Sequence, residues 1–175
     1  MEITKYGVTL RRLTEDKIEM VRNWRNDPKI SQYMEYKEYI TPEMQKKWFK
    51  KIDNKNNLFY IIVFQNKEIG VINIKEIDYL AGCGEAGIYI YDDDSIKTDV
   101  SFRAIICLYD YFFEILKLNK IFAHIMNTNL VSIYFNKIIG YKKEPNQENI
   151  TNQLYTLSYE NYLKYKTKII NSFNI

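Results

Sequence analysis

Apolar positions along this chain change period several times, and each change marks the edge of an expected element. Val8-Thr-Leu-Arg-Arg-Leu13 alternates with period two after Gly7, which predicts a first strand. Thr14 is placed to cap the next segment, with Glu15 and Asp16 in its first turn, where carboxylates suit the positive end of a helix. Ile18, Val21 and Trp24-Arg25 carry that helix to Asp27-Pro28, because a residue before proline avoids helical dihedrals. A short second helix is expected from Ile30 to Tyr36. Thr41-Pro42-Glu43 is a helix start, with threonine as N-cap and proline at the first helical position. Met44, Trp48, Phe49 and Ile52 give that helix one apolar face.

Leu58 to Phe64 and Glu68 to Ile77 read as a hairpin over Gln65-Asn66-Lys67. Ala81-Gly82-Cys83-Gly84 breaks the chain before a strand, Glu85-Ala-Gly-Ile-Tyr-Ile-Tyr91. A polar loop, Asp92–Asp99, then leads into Val100–Leu116, where Ala104, Ile105, Leu108, Phe112, Ile115 and Leu116 recur at helical spacing. Ile121–Met126 predicts another strand. Asn127-Thr-Asn129 opens a helix that ends near Gly140, where a left-handed cap is wanted. Tyr141–Glu144 and Gln153–Leu157 are the last strands, and Ser158 can cap a final helix from Tyr159 to about Phe173. With no repeats and no low-complexity linker, this order gives an α+β fold in one domain, residues 1–175.

Composition adds mainly exclusions. The chain has 175 residues, 46% of them hydrophobic and 27% charged, as in ordinary soluble domains. A net charge of +3 is too small to argue for nucleic acid. Cys83 and Cys107 lack metal-type spacing and could not build a disulfide framework, so no metal is expected and a reducing compartment is. Met-Glu-Ile-Thr-Lys is no signal peptide and no apolar run reaches membrane-spanning length. The expectation is a cytoplasmic protein without a membrane partner.

The strand at Glu85 feeding the helix at Val100 through a short loop aims the first helical N–H groups beyond the strand end, which makes an anion site. This stretch resembles the central segment of the GCN5-related N-acetyltransferases. So do Asn129-Leu-Val-Ser-Ile133 leading to Gly140-Tyr141, and Trp24-Arg25-Asn26-Asp27-Pro28 with Ile30 and Met34. The Trp-Arg-Asn-x-Pro passage looks like the branch that acetylates 4-amino-sugars on a nucleotide carrier, as in pseudaminic acid synthesis. The resemblance implies a twisted, mostly antiparallel mixed sheet of six to seven strands flanked by helices. It also implies a splay between the fourth strand, at Glu85, and the fifth, at Ile121.

It further implies acetyl-CoA as co-substrate and a small amine as acceptor. Main-chain groups of Ile88, Tyr89 and Ile90 would hold the pantetheine arm and the thioester carbonyl. The loop Lys97, Thr98, Asp99, Val100 and Ser101 would hold the pyrophosphate, and Asn129 would lie near the pantetheine. Glu85 matches the carboxylate that takes the amine proton, and Asn136 stands where the family often has a general-acid tyrosine. Trp24, Arg25 and Asn26 fall on the acceptor side, Trp24 as a stacking face and Arg25 as a phosphate grip. His124 is the chain's one histidine and alternates onto the strand facing the cleft, so it is a candidate auxiliary base in the acceptor site.

Several of these positions carry a second reading. Gly87 either permits close backbone approach or marks a bulge. Asp99 either opposes a phosphate or caps the helix, and Trp24 either stacks on a ligand or fills the core. Asn129 serves equally well as an N-cap, and His124 as a structural imidazole. At the level of function, the favoured acceptor is a nucleotide-linked amino-sugar. A protein N-terminus or a polyamine is the alternative, and a non-catalytic binding module is the rival of a different class. A homodimer stays open.

Overall fold

The structure, a computed structural model, describes residues 1–175. An eight-stranded sheet runs through it in the order β1-β2-β3-β4-β5-β6-β8-β7. The strands are β1 (Glu2–Lys5), β2 (Val8–Arg12), β3 (Leu58–Phe64), β4 (Lys67–Asp78), β5 (Cys83–Ile90), β6 (Lys120–Met126), β7 (Lys142–Lys143) and β8 (Asn152–Ser158). All neighbours pair antiparallel except β5 and β6. The helices are α1 (Ile18–Asn26), α2 (Pro28–Ser31), α3 (Pro42–Ile52), α4 (Val100–Asp110), α5 (Leu130–Ile139) and α6 (Tyr159–Phe173).

Both faces of the sheet are covered, which explains why β3 reads Leu-Phe-Tyr-Ile-Ile-Val-Phe without polar alternation. On one face Tyr60, Ile62, Ile72 and Ile74 pack with Ala104, Leu108 and Phe112 of the α4 segment and Tyr162 of α6. On the other, Phe59, Ile61 and Val71 pack with Ile18, Val21 and Trp24 of α1 and with Phe49 and Ile52 of α3. Each such side chain taken fully from water contributes about 1.5–3 kcal/mol. Buried Asp110 at the end of α4 accepts from Lys5, Tyr6, Tyr162 and Lys166, tying the first hairpin and the last helix to the centre.

Three caps sit as their sequence predicts. Thr41 accepts from the Met44 N–H, Ser158 from the Asn161 N–H, and Asn129 from the Ser132 N–H. Gly140 closes α5 at φ 105°, a conformation in which a side chain is strained. Other expectations need correcting. The strand at Val8 is the second of eight, because Tyr6 and Gly7 at positive φ turn Glu2–Lys5 back to pair with it. Thr14 makes no side-chain cap; one tight turn, Glu15–Lys17, precedes α1. The second helix is Pro28–Ser31 rather than Ile30–Tyr36. Asp27 caps it through the Lys29 N–H, and farther on the chain is fastened back at Ile40 by two hydrogen bonds with Asn26. The helix expected through Leu116 widens after Asp110, where the Leu116 N–H reaches back five residues to the Tyr111 carbonyl.

Candidate active site

β5 and β6 are paired in parallel over only three positions, Cys83 with Lys120, Gly84 with Ile121 and Glu85 with Phe122. Beyond Glu85 they part. The groups of β5 that face β6 from Ala86 to Ile90 therefore have no strand partner, although the same residues remain paired to β4 on the other side. An open strand edge inside a sheet is a row of amides able to bind an extended chain. Ile88, Tyr89 and Ile90 lie on that edge.

Alternation along β5 sends Glu85, Gly87 and Tyr89 to the α1 face. Lys75 lies directly across from Glu85 on β4, and its Nζ is 3.1 Å from Glu85 Oε1. Phe122 sits opposite Glu85 on β6, so His124, two residues on, shares the face, with Nδ1 3.3 Å from the same oxygen. Glu35, Lys75, Glu85, His124 and Asn152 line a cavity of about 380 Å³ that contains no hydrophobic side chain. Glu35 comes from the segment between α2 and α3, and Asn152 starts β8. Gly87 makes room for the Asn73 side chain of β4: a methyl group there would come within 3.1 Å of Asn73 Oδ1. Pairing with β4 is continuous through Gly87, so it marks no bulge; the irregularity lies between Lys75 and Asp78.

The loop before α4 differs from both readings of Asp99. Its carboxylate neither caps the helix nor stands free, since Arg103 grips it at two points. Thr98 Oγ1 accepts from the Val100 N–H instead. The Ser101 N–H makes no hydrogen bond in the chain and is free for a ligand oxygen. Lys97 is exposed and sits 3.5 Å from Asp94, while Val100 is buried in the core. The loop thus presents the free Ser101 main-chain N–H, and its Arg103 cation is already paired with Asp99.

In the N-terminal helices the tryptophan motif works mostly as scaffold. Trp24 is 8% exposed and stacks on Tyr91, with ring centres 5.2 Å apart, so the expected stacking face for a ligand is already used within the core. Asn26 donates to the Ile40 carbonyl and accepts from the Ile40 N–H, which commits its amide to the backbone rather than to an acceptor. Arg22 reaches the same carbonyl and the Tyr39 hydroxyl. Together these clip the segment that carries Glu35. Arg25 is turned inward with Nη1 3.1 Å from Met34 Sδ, and its Nε has no partner. Burial pulls the Arg25 guanidinium below its usual range and pushes the Tyr89 hydroxyl, also unpartnered, well up.

Asn136 is buried, and its amide donates back to the Ser132 carbonyl and hydroxyl of α5. Its donor is thus engaged within α5, at the position where the family often has a general-acid tyrosine. Asn129 uses its oxygen as the α5 cap. Of the residues singled out in the sequence, the structure brings Glu85 and His124 together and keeps Arg25 and Tyr89 near one another. Lys75, Glu35 and Asn152 were not singled out. The register of β4 against β5 was the signal for Lys75; nothing local marks the other two.

Residues 8–142 match the family profile described as an acetyltransferase (GNAT) domain. The acetyltransferase PseH of Campylobacter jejuni is 33% identical over 118 residues, covering 67% of this chain and 71% of that protein. Among solved structures, the spermidine N-acetyltransferase of Vibrio cholerae in complex with CoA and spermine has a TM-score of 0.75. It is 22% identical, with 91% of this chain and 99% of that one covered. A GCN5-related N-acetyltransferase from Brucella melitensis reaches 0.78 at 16% identity, over 98% and 84% of the two chains. The splayed sheet and the profile define the class, and the chain belongs to the GCN5-related N-acetyltransferases. Within that family its sequence is similar to PseH. No helix is long and apolar enough to cross a membrane.

Proposed function

We propose that this acetyltransferase takes its acetyl group from acetyl-CoA and transfers it to the primary amine of a nucleotide-linked amino-sugar. The observation that carries the reading is the wholly polar cavity holding Glu85 and His124 at the mouth of the β5–β6 splay. Acetyl-CoA fits the splay for two reasons. The open edge at Ile88–Ile90 can pair with the amides of a pantetheine arm, and the free Ser101 N–H at the start of α4 suits a pyrophosphate oxygen.

Within that arrangement the main-chain N–H groups of the open edge stabilise the negative charge that develops on the carbonyl oxygen. Glu85 and His124 form the proton-accepting end of the site, since the attacking amine must lose a proton. No free acid stands at Asn136. A thiol with a pKa near 8.5, by analogy with cysteine, makes a tolerable leaving group as thiolate.

Similarity to PseH supports the sugar acceptor. The lining supports it too: one ammonium, Lys75, stands with the carboxylates Glu35 and Glu85, the His124 imidazole and the Asn152 amide, a mixed set suited to an acceptor with both polar and charged groups. A polyamine would bring several positive charges against Lys75 and favours an acidic pocket. The test is release of free thiol from acetyl-CoA with a uridine-diphosphate-linked 4-amino-sugar, set beside spermidine. Amine-dependent release with the sugar and little with spermidine supports the reading; the reverse order contradicts the acceptor assignment.

A further inference from the structure

We propose that His124, through Nε2, is the atom that removes the acceptor's proton, and that Glu85 acts as its positioning residue with Lys75 as counter-charge. This rests on the acetyltransferase reading above and names the base within that site.

Glu85 Oε1 has two nitrogen neighbours, Lys75 Nζ at 3.1 Å and His124 Nδ1 at 3.3 Å. When the imidazole is neutral, a carboxylate oxygen 3.3 Å from Nδ1 electrostatically favours the tautomer with its proton on that side, which puts the lone pair on Nε2. The two groups are unequally accessible. The His124 side chain is 40% exposed and the Glu85 side chain 19%. The more open imidazole is therefore the group that an incoming amine meets first.

The surroundings of His124 come from four elements. Lys75 on β4 offsets the charge of Glu85 on β5. Glu35, from the segment before α3, bears no ion pair and faces the same cavity. On β8, Asn152 lines the cavity and Leu154 stands opposite His124 in the ladder. No other titratable group lines the cavity, so an incoming amine meets an imidazole flanked by two carboxylates and one ammonium. Free Glu35 is placed to attract an ammonium form before its proton is lost.

The step balances. The ammonium form first gives one proton to solvent; the neutral amine nitrogen then bonds to the thioester carbonyl carbon, and the proton it sheds on doing so passes to His124 Nε2. Collapse breaks the carbon–sulfur bond, and the thiolate leaves as CoA. The imidazolium then gives its proton to the thiolate or to solvent. Glu85 takes no proton in this step; it faces the imidazolium that forms.

Having one histidine makes the test clean. Nitrogen-15 NMR of the protein without ligands reads the tautomer of His124 directly. The neutral ring should carry its proton on Nδ1, and Glu85→Ala should mix the two tautomers. Steady-state rates with acetyl-CoA and a uridine-diphosphate-linked 4-amino-sugar give the second arm. His124→Gln should lower kcat/KM about 100-fold and flatten the acidic limb of its pH profile. Imidazole added to His124→Gly should restore part of the rate. A proton on Nε2 in the neutral ring overturns the proposal, and so does a His124→Gln enzyme within threefold of the wild type. Absence of wild-type turnover with every amine would instead refute the acetyltransferase reading, which the tautomer does not address.

Discussion

Arg103 holds Asp99 at two points across one turn of α4, with Nε 2.8 Å from Oδ1 and Nη2 2.8 Å from Oδ2. Arg103 also donates from Nη1 to the Tyr6 carbonyl, so the pair ties the first hairpin to the loop that leads into α4. A carboxylate in a phosphate-binding loop would repel its ligand, but here the charge is matched before any ligand arrives. Asp99→Asn should free Arg103 and tighten acetyl-CoA about three- to tenfold, an effect that shrinks as salt screens it. The same change should cost about 0.5–1 kcal/mol of stability, because the lost pair is mostly shielded but not deeply buried. Calorimetric titration at two ionic strengths with a parallel melting curve checks both. Weaker binding would mean the ion pair orders the loop for its ligand.

Asp110 should be the most sensitive charged position in the fold. Burial raises the energy of its charge, yet hydrogen bonds from Lys166, Lys5, Tyr162 and Tyr6 hold the carboxyl below its usual range. A depressed folded-state pKa gives stability that is present above the unfolded value near 3.9 and is lost as pH falls through the folded value. Asp110→Asn removes the charge while two lysines remain, and should cost about 3 kcal/mol or more. Denaturant melts at pH 7 and pH 3 test this. The gap between wild type and variant should narrow at the lower pH.

Asn26→Ala should loosen the acceptor side without touching the cofactor side. It removes both hydrogen bonds to Ile40, and with them part of the hold on the segment bearing Glu35. We expect KM for the acceptor amine to rise about three- to tenfold, roughly the worth of one net hydrogen bond, with KM for acetyl-CoA unchanged. Equal rises in both constants would argue for a global loss of fold.

Glu85→Gln should lower kcat more than it raises either KM, since it keeps shape and removes the carboxylate that orients His124. The pH profile of kcat should change with it, because the carboxylate beside the imidazole is part of the proton path. An unchanged profile would remove Glu85 from proton transfer.

Much of the fold was legible because its signals are local. Thr41-Pro42, Ser158, Asn129 and Gly140 each sit at a helix end for reasons contained within a few residues. The first hairpin was not, since Glu2–Lys5 is too short to show alternation and its turn uses Tyr6 at φ 57°. The site was legible only in part. Glu85 and His124 stand out along their own strands, but Lys75, Glu35 and Asn152 reach them through strand register and loop placement. Trp24, Asn26 and Asp99 misled in one way: each has the chemistry of a binding residue and spends it within the fold. Trp24 stacks on Tyr91, Asn26 clips Ile40 and Asp99 pairs with Arg103.

The most direct measurement follows transfer itself. Purified protein, acetyl-CoA and a uridine-diphosphate-linked 4-amino-sugar are incubated together, and mass spectrometry is used to look for a product heavier by one acetyl group alongside stoichiometric free CoA. Wild type should give N-acetylated sugar in proportion to the CoA released, and His124→Gln should give about a hundredth of the rate. Binding of acetyl-CoA with no acetylated product from this sugar, spermidine or a peptide N-terminus would contradict the account.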